Sequence, residues 1–188
     1  MEFLDRLETH VGLLRKSVEK GLGVRIDTAI QILVEALGQG RPVLICGNGG
    51  SASDALHISG ELVGRFLLER RALNVICLNA NVSVMTAWAN DYDYATVFSR
   101  QVEAHGVRDG VLWGISTSGN SENIVSAMQQ ARKMGMHTIG LTGETGGKMA
   151  DLCDILLNVP STSTPRIQEL HLPVYHYICE RVEARLSQ

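Results

Sequence analysis

Runs at 43–46, 73–78, 111–115, 138–142 and 155–159 are apolar at nearly every position, and helix-like stretches separate them. A strand with one face in water alternates polar and apolar residues, so strands this uniformly apolar need cover on both faces. Repeated strand-then-helix order supplies that cover and predicts a parallel sheet between two helical layers. The helical patterns fall around 52–67, 82–105, 121–134 and 146–151, with a last helix from about 165 to 186. Thr164 is placed to cap it and Pro165 to occupy its first turn, while Pro173 should bend or restart it.

Two more helices precede the first strand. Leu4, Leu7, Val11, Leu14 and Val18 form a narrow stripe, and after Gly21 and Gly23 a second pattern runs through Ile26, Ile30, Leu33, Val34 and Leu37. The stripe suits packing on the same chain or a coiled-coil-like seam with a neighbouring copy. Gly38, Gly40 and Pro42 stop the second helix. No repeat, low-complexity tract or linker divides the 188 residues, a length that one domain fills.

The totals narrow the function. A net charge of −3 without a basic run counts against nucleic acid as a direct ligand, but leaves room for a small phosphorylated one. Cys46, Cys77, Cys153 and Cys179 form no C-x-x-C pair, which argues against a disulfide framework or zinc ribbon. Glu2, Asp5, Arg6 and Glu8 leave no signal peptide, and no apolar run has membrane-span length. The expectation is a protein of the reducing cytoplasm that contacts neither nucleic acid nor membrane.

The first strand breaks into Gly47-Asn48-Gly49-Gly50-Ser51 and then enters a helix carrying His57 and Glu61. Glycines let backbone N–H groups approach a ligand, and a helix N-terminus favours an anion. The i, i+4 spacing sets the imidazole and carboxylate on one helix face. Gly47, Gly49 and Ala52 also fit a dinucleotide fingerprint loosely, yet the next strand ends Leu78-Asn79-Ala80-Asn81, without the carboxylate that would hold a ribose. Gly146-Gly147-Lys148 is followed by Met149, so no phosphate-loop lysine motif exists. The third strand leads into Ser116-Thr117-Ser118-Gly119-Asn120-Ser121, a nest of donors suited to a phosphate dianion. Asn120 or Ser121 could serve as an N-cap, but capping does not explain four hydroxyls in six positions. Asn90-Asp91 reads locally as a turn. The last helix carries Gln168, His171 and His176.

Together these segments resemble the sugar isomerase (SIS) domain family and, within it, the phosphoheptose isomerases. The resemblance covers nearly the whole chain. It rests on Gly47 to Ser51, His57 with Glu61, Asn90-Asp91, Ser116 to Ser121, Thr142-Gly143 with Gly146 to Met149, and Arg166-Ile167-Gln168-Glu169 with His176. The serine-rich loop marks the wider sugar-phosphate-binding domain; His57, Glu61, Gln168 and His176 together are more specific. The resemblance implies an α/β fold, a three-layer α/β/α sandwich around a five-stranded parallel sheet of flavodoxin-like topology. Residues 1–188 would form a single SIS domain, with 1–40 as helices on the body and on neighbouring subunits of a homotetramer whose sites lie at subunit contacts. The implied reaction is sedoheptulose 7-phosphate to D-glycero-D-manno-heptose 7-phosphate, the entry to ADP- or GDP-heptose for lipopolysaccharide or other surface glycans.

Carried over by position, Asn48, Gly49, Gly50, Ser51, Glu61, Asn90, Asp91, Ser116, Thr117, Ser118, Ser121 and Gln168 would hold the substrate. His57, Glu61, Gln168 and His176 would bind zinc, one ion per subunit, and Glu61 and His176 would form the acid–base pair. Some family members have an acidic residue where this chain has Pro165, so contacts there stay unassigned. The rival readings are a non-catalytic SIS-domain regulator that associates with the replication initiator, and a different sugar-phosphate isomerase. Relatives of the first kind lack the glutamate–histidine pair, which this chain has.

Overall fold

A computed structural model describes residues 2–187. In chain order the main elements are α1 (Phe3–Glu19), α2 (Leu22–Gly38), β1 (Val43–Gly47), α3 (Gly50–Val63), β2 (Val75–Cys77), α4 (Val82–Asp91), α5 (Val97–His105), β3 (Val111–Ser116), α6 (Glu122–Lys133), β4 (His137–Thr142), β5 (Ile155–Asn158) and α7 (Thr164–Leu186). The five strands are parallel, in the order β2-β1-β3-β4-β5. This is the doubly wound, flavodoxin-like arrangement. Its direction reverses between β1 and β3, where a crevice opens beyond the carboxyl ends of the strands. Gly47 pairs with Ile115, so the loops after β1 and β3 leave the sheet side by side.

Alternation along the strands explains the two helical layers. Val43, Ile45 and Trp113 face a core completed by α2, α3 and α7, while Leu44, Cys46 and Leu112 face a second core completed by α5 and α6. Of the α1 stripe, Leu14 packs on the first core, but Leu4, Leu7, Val11 and Val18 are exposed. All four cysteines are free thiols, three of them buried.

Several local expectations need correction. The pattern at 82–105 is not one helix: α4 ends at Asp91, a 3-10 turn spans Tyr94–Thr96, and α5 follows. Asp93 causes the restart, because its carboxylate accepts from Ala95 N at 2.8 Å and offers the backbone an alternative to helix. Asn90 and Asp91 therefore close a helix and do not form a free turn. The 146–151 pattern is a 3-10 segment, Gly147–Leu152, entered through Gly146 and Gly147 at φ of 73° and 52°. The second strand shrinks to three residues at the sheet edge, and the helix after β1 stops at Val63 instead of reaching 67. Ser163, not Thr164, holds the N-cap position of α7. Pro173 does not restart that helix; it sits exposed, where water can serve the carbonyl it leaves free.

Candidate active site

The loop after β1 is fixed from both sides. Asn79 grips Gly47 twice: Gly47 N donates to Asn79 Oδ1 at 3.1 Å, and Asn79 Nδ2 donates to Gly47 O at 2.8 Å. The position where a dinucleotide site would want a carboxylate thus holds the glycine loop itself. Gly49 turns the chain at φ 55° into α3, and Ser51 is buried in its first turn. Asn48 reaches across to α6, where it exchanges two side-chain hydrogen bonds with buried Asn123 at 2.8 and 2.9 Å. Tyr94 donates to Asn48 Oδ1 at 3.0 Å, which brings in the segment just after Asn90 and Asp91. Those two bond to each other at 2.8 Å on the exposed end of α4.

The serine loop keeps its hydroxyls for something other than capping. Ser121 occupies the N-cap position of α6, yet its hydroxyl makes no cap bond and lies 3.0 Å from Ser116 Oγ. Ser116 also accepts from Gly119 N at 3.2 Å, and Ser118 accepts from Asn120 N at 3.1 Å. Asn120 Oδ1 is taken by Lys148 N at 3.0 Å, which ties the loop to the glycines after β4. Gly119 sits at φ 66°, and a Cβ there would run into the Gly146 carbonyl, so glycine is required on both counts. Thr117 and Ser118 remain at the open mouth, beside the N-terminus of α6.

The chemically active side chains converge on the α3 face that turns toward α7. His57 Nε2 lies 3.0 Å from Glu61 Oε1 and 3.4 Å from His176 Nε2. One donor atom from each of the three residues falls within 4.8 Å of the others. Tetrahedral zinc with bonds of about 2.1 Å spaces its donor atoms about 3.4 Å apart, so the trio fits such an ion. Two imidazoles and a carboxylate are also a donor set zinc takes readily. The convergence occurs within one chain. Gln168 lies two turns before His176 on α7, and its amide packs against Gly50, where a Cβ would collide with it.

Aromatic rings wall the trio. Tyr175 and Phe66 each meet a histidine edge to face, with Phe66 5.5 Å from the His176 ring. Desolvation, with His57 nearby, lowers the His176 pKa against the pull of Glu61. Burial raises both Asp54 and Tyr175, which share a 3.3 Å hydrogen bond behind His57.

The SIS domain family model matches residues 8–143. A phosphoheptose isomerase from Helicobacter pylori is 51% identical over 178 residues, covering 95% of this chain and 92% of that one. The chain belongs to the phosphoheptose isomerase family. A second relative of that name, from Aliarcobacter butzleri, is 49% identical across 99% of this chain and 96% of its own. The solved structure of a phosphoheptose isomerase from Neisseria gonorrhoeae superposes with a TM-score of 0.86 at 38% identity, covering 97% of this chain and all of that one.

Membership of the phosphoheptose isomerase family leaves several residues that the sequence did not single out. Asn123, Asn79, Tyr94, Tyr175 and Asp54 all hold site residues in place. Only Asp54 carried a local signal, lying three residues before His57 on the same face of α3.

Proposed function

We propose that this chain converts sedoheptulose 7-phosphate to D-glycero-D-manno-heptose 7-phosphate through an enediol, as the step that opens ADP- or GDP-heptose synthesis for lipopolysaccharide or surface glycans. The observation that carries the reading is the meeting of His57, Glu61 and His176 at one point, in a chain whose serine loop pairs the Ser116 and Ser121 hydroxyls and leaves Thr117 and Ser118 open.

The serine loop anchors the phosphate through Ser116, Thr117, Ser118 and Ser121 and the first N–H groups of α6. Asn48, Gly49, Gly50, Ser51, Asn90, Asp91 and Gln168 hold the sugar hydroxyls, with the Gln168 amide already poised on Gly50. Anchoring the far end fixes the reacting carbons against α3 and α7. Glu61 takes a proton from C1 to give the enediol and returns one to C2. His176 moves the hydroxyl proton from O1 to O2, so atoms and charge balance over the cycle. Glu61 Oε1 faces His57, leaving its second oxygen for the proton, since it has no hydrogen bond among the described residues.

His57, Glu61 and His176 are the residues that would hold zinc, with Gln168 the fourth member of the set by resemblance. Zinc there supplies Lewis-acid polarisation of the substrate carbonyl. Bound there, zinc would favour the ionised form of the Glu61 carboxylate and so make it a weaker base.

The subunits assemble as a homotetramer in this reading, and the exposed α1 stripe supports it. A cytoplasmic location belongs to the same reading; no helix among the described residues is long and apolar enough to cross a membrane. The rival regulator reading needs no base. Glu61→Gln separates the two: the enzyme reading expects kcat to fall about 10²–10⁴-fold while the sugar phosphate still binds. Full residual turnover would refute the assignment of Glu61.

A further inference from the structure

Both ring nitrogens of His57 are engaged, and they face different chemistry. Nε2 points at Glu61 and His176, whereas Nδ1 lies 3.1 Å from the Tyr175 hydroxyl. A neutral imidazole carries one N–H. Which nitrogen holds it decides whether Nε2 offers the trio a lone pair or a proton.

Tyr175 has a single hydroxyl proton and two neighbours that could take it. One is His57 Nδ1; the other is Asp54 Oδ1, at 3.3 Å. Among the described residues Asp54 has no other donor, and its Oδ2 is buried and unpartnered. A carboxylate can only accept, and leaving both oxygens without a donor is unfavourable. Giving the proton to Asp54 turns the Tyr175 oxygen into an acceptor, and the donor facing it is then His57 Nδ1–H. The Tyr175 ring is 1% exposed, and its edge-to-face contact with His57 holds the hydroxyl in place.

We propose that Asp54 and Tyr175 are positioning residues that lock His57 as its Nδ1–H tautomer and so keep the Nε2 lone pair open to a divalent cation shared with Glu61 and His176. The cation half rests on the zinc reading given above; the tautomer half does not. The opposite tautomer would aim an Nε2–H at Glu61 Oε1 and fill the point where the three donor atoms meet. Asp54, His57 and Glu61 rise along one face of α3, so one helix carries the anchor, the oriented ring and the carboxylate.

Nitrogen-15 histidine spectra of the full chain, zinc-loaded and after chelator treatment, read the tautomer directly at alkaline pH. Wild-type protein should show His57 as Nδ1–H in both states. Tyr175→Phe and Asp54→Ala should shift stripped His57 to Nε2–H and weaken zinc binding about 10–100-fold in chelator competition. Asp54→Asn keeps an acceptor for the tyrosine and should retain the wild-type tautomer. Wild-type His57 in the Nε2–H form, or unchanged zinc affinity in both Tyr175→Phe and Asp54→Ala, overturns the proposal. Wild-type protein that binds no zinc refutes the metal reading and the cation half with it, while the spectra still judge the tautomer lock.

Discussion

Ser116 and Ser118 look alike in sequence but carry different loads. Ser118 is exposed and accepts one backbone bond, from Asn120, whereas Ser116 is buried and joins both Gly119 and Ser121. Ser118→Ala should therefore act on substrate alone. A hydrogen bond to a charged group is worth about 1.5–3 kcal/mol, so KM should rise roughly 10–100-fold with kcat little changed. Ser116→Ala should also loosen the loop, and inorganic phosphate competition should show the larger loss of affinity there. If neither substitution alters phosphate affinity, the anchor lies elsewhere. At this scale the sequence shows chemistry that is local: four hydroxyls in six positions, or His57 and Glu61 one turn apart. It hides chemistry made by distant partners. Tyr175 meets His57 across 118 residues and Asn123 meets Asn48 across 75, spacings that no local pattern encodes.

The carboxylate of Glu183 is a fastening between elements. It is 1% exposed on α7, accepts from the N–H groups of Phe66, Leu67 and Leu68, and pairs with equally buried Arg70 at 3.3 Å. Arg70 in turn donates to the carbonyls of Glu61 and Gly64, so the pair binds the end of α3 to α7. Removing one member of a buried pair strands the other, and Glu183→Ala should lower unfolding free energy by about 3–5 kcal/mol in urea titration. Burial alone would raise the Glu183 pKa, but the three N–H groups and Arg70 outweigh it and lower it. A carboxyl depressed on folding stabilises fully above its unfolded pKa and loses that contribution as pH falls through the folded one. His171 acts in a higher window. Buried on α7 and donating to Thr142 O, it is held down to about 4 by desolvation, against 6.5 when free. The unfolded chain takes up that proton first, so stability is whole above 6.5 and drains as pH drops toward 4. Urea midpoints measured down this range should fall, and His171→Asn should flatten the slope. The same scale shows why the pattern at 82–105 misled: apolar spacing continues through the break, while Asp93 side-chain bonding ends the helix.

For the molecule as a whole, the layered fold was readable because strands buried on both faces demand it, and the order β2-β1-β3-β4-β5 brings the loops after β1 and β3 together. What lies outside the chain was less readable. The α1 stripe admitted two partners, and in the structure Leu4, Leu7, Val11 and Val18 are exposed. In the proposed tetramer a neighbouring copy covers them, so Leu7→Glu with Val11→Glu should yield smaller species by light scattering; an unchanged mass would separate α1 from assembly. The most direct test of the whole account is incubation of purified protein with sedoheptulose 7-phosphate, followed by NMR of the products. The expected product is D-glycero-D-manno-heptose 7-phosphate. Recovery of unchanged ketose from folded, zinc-supplied protein would contradict it.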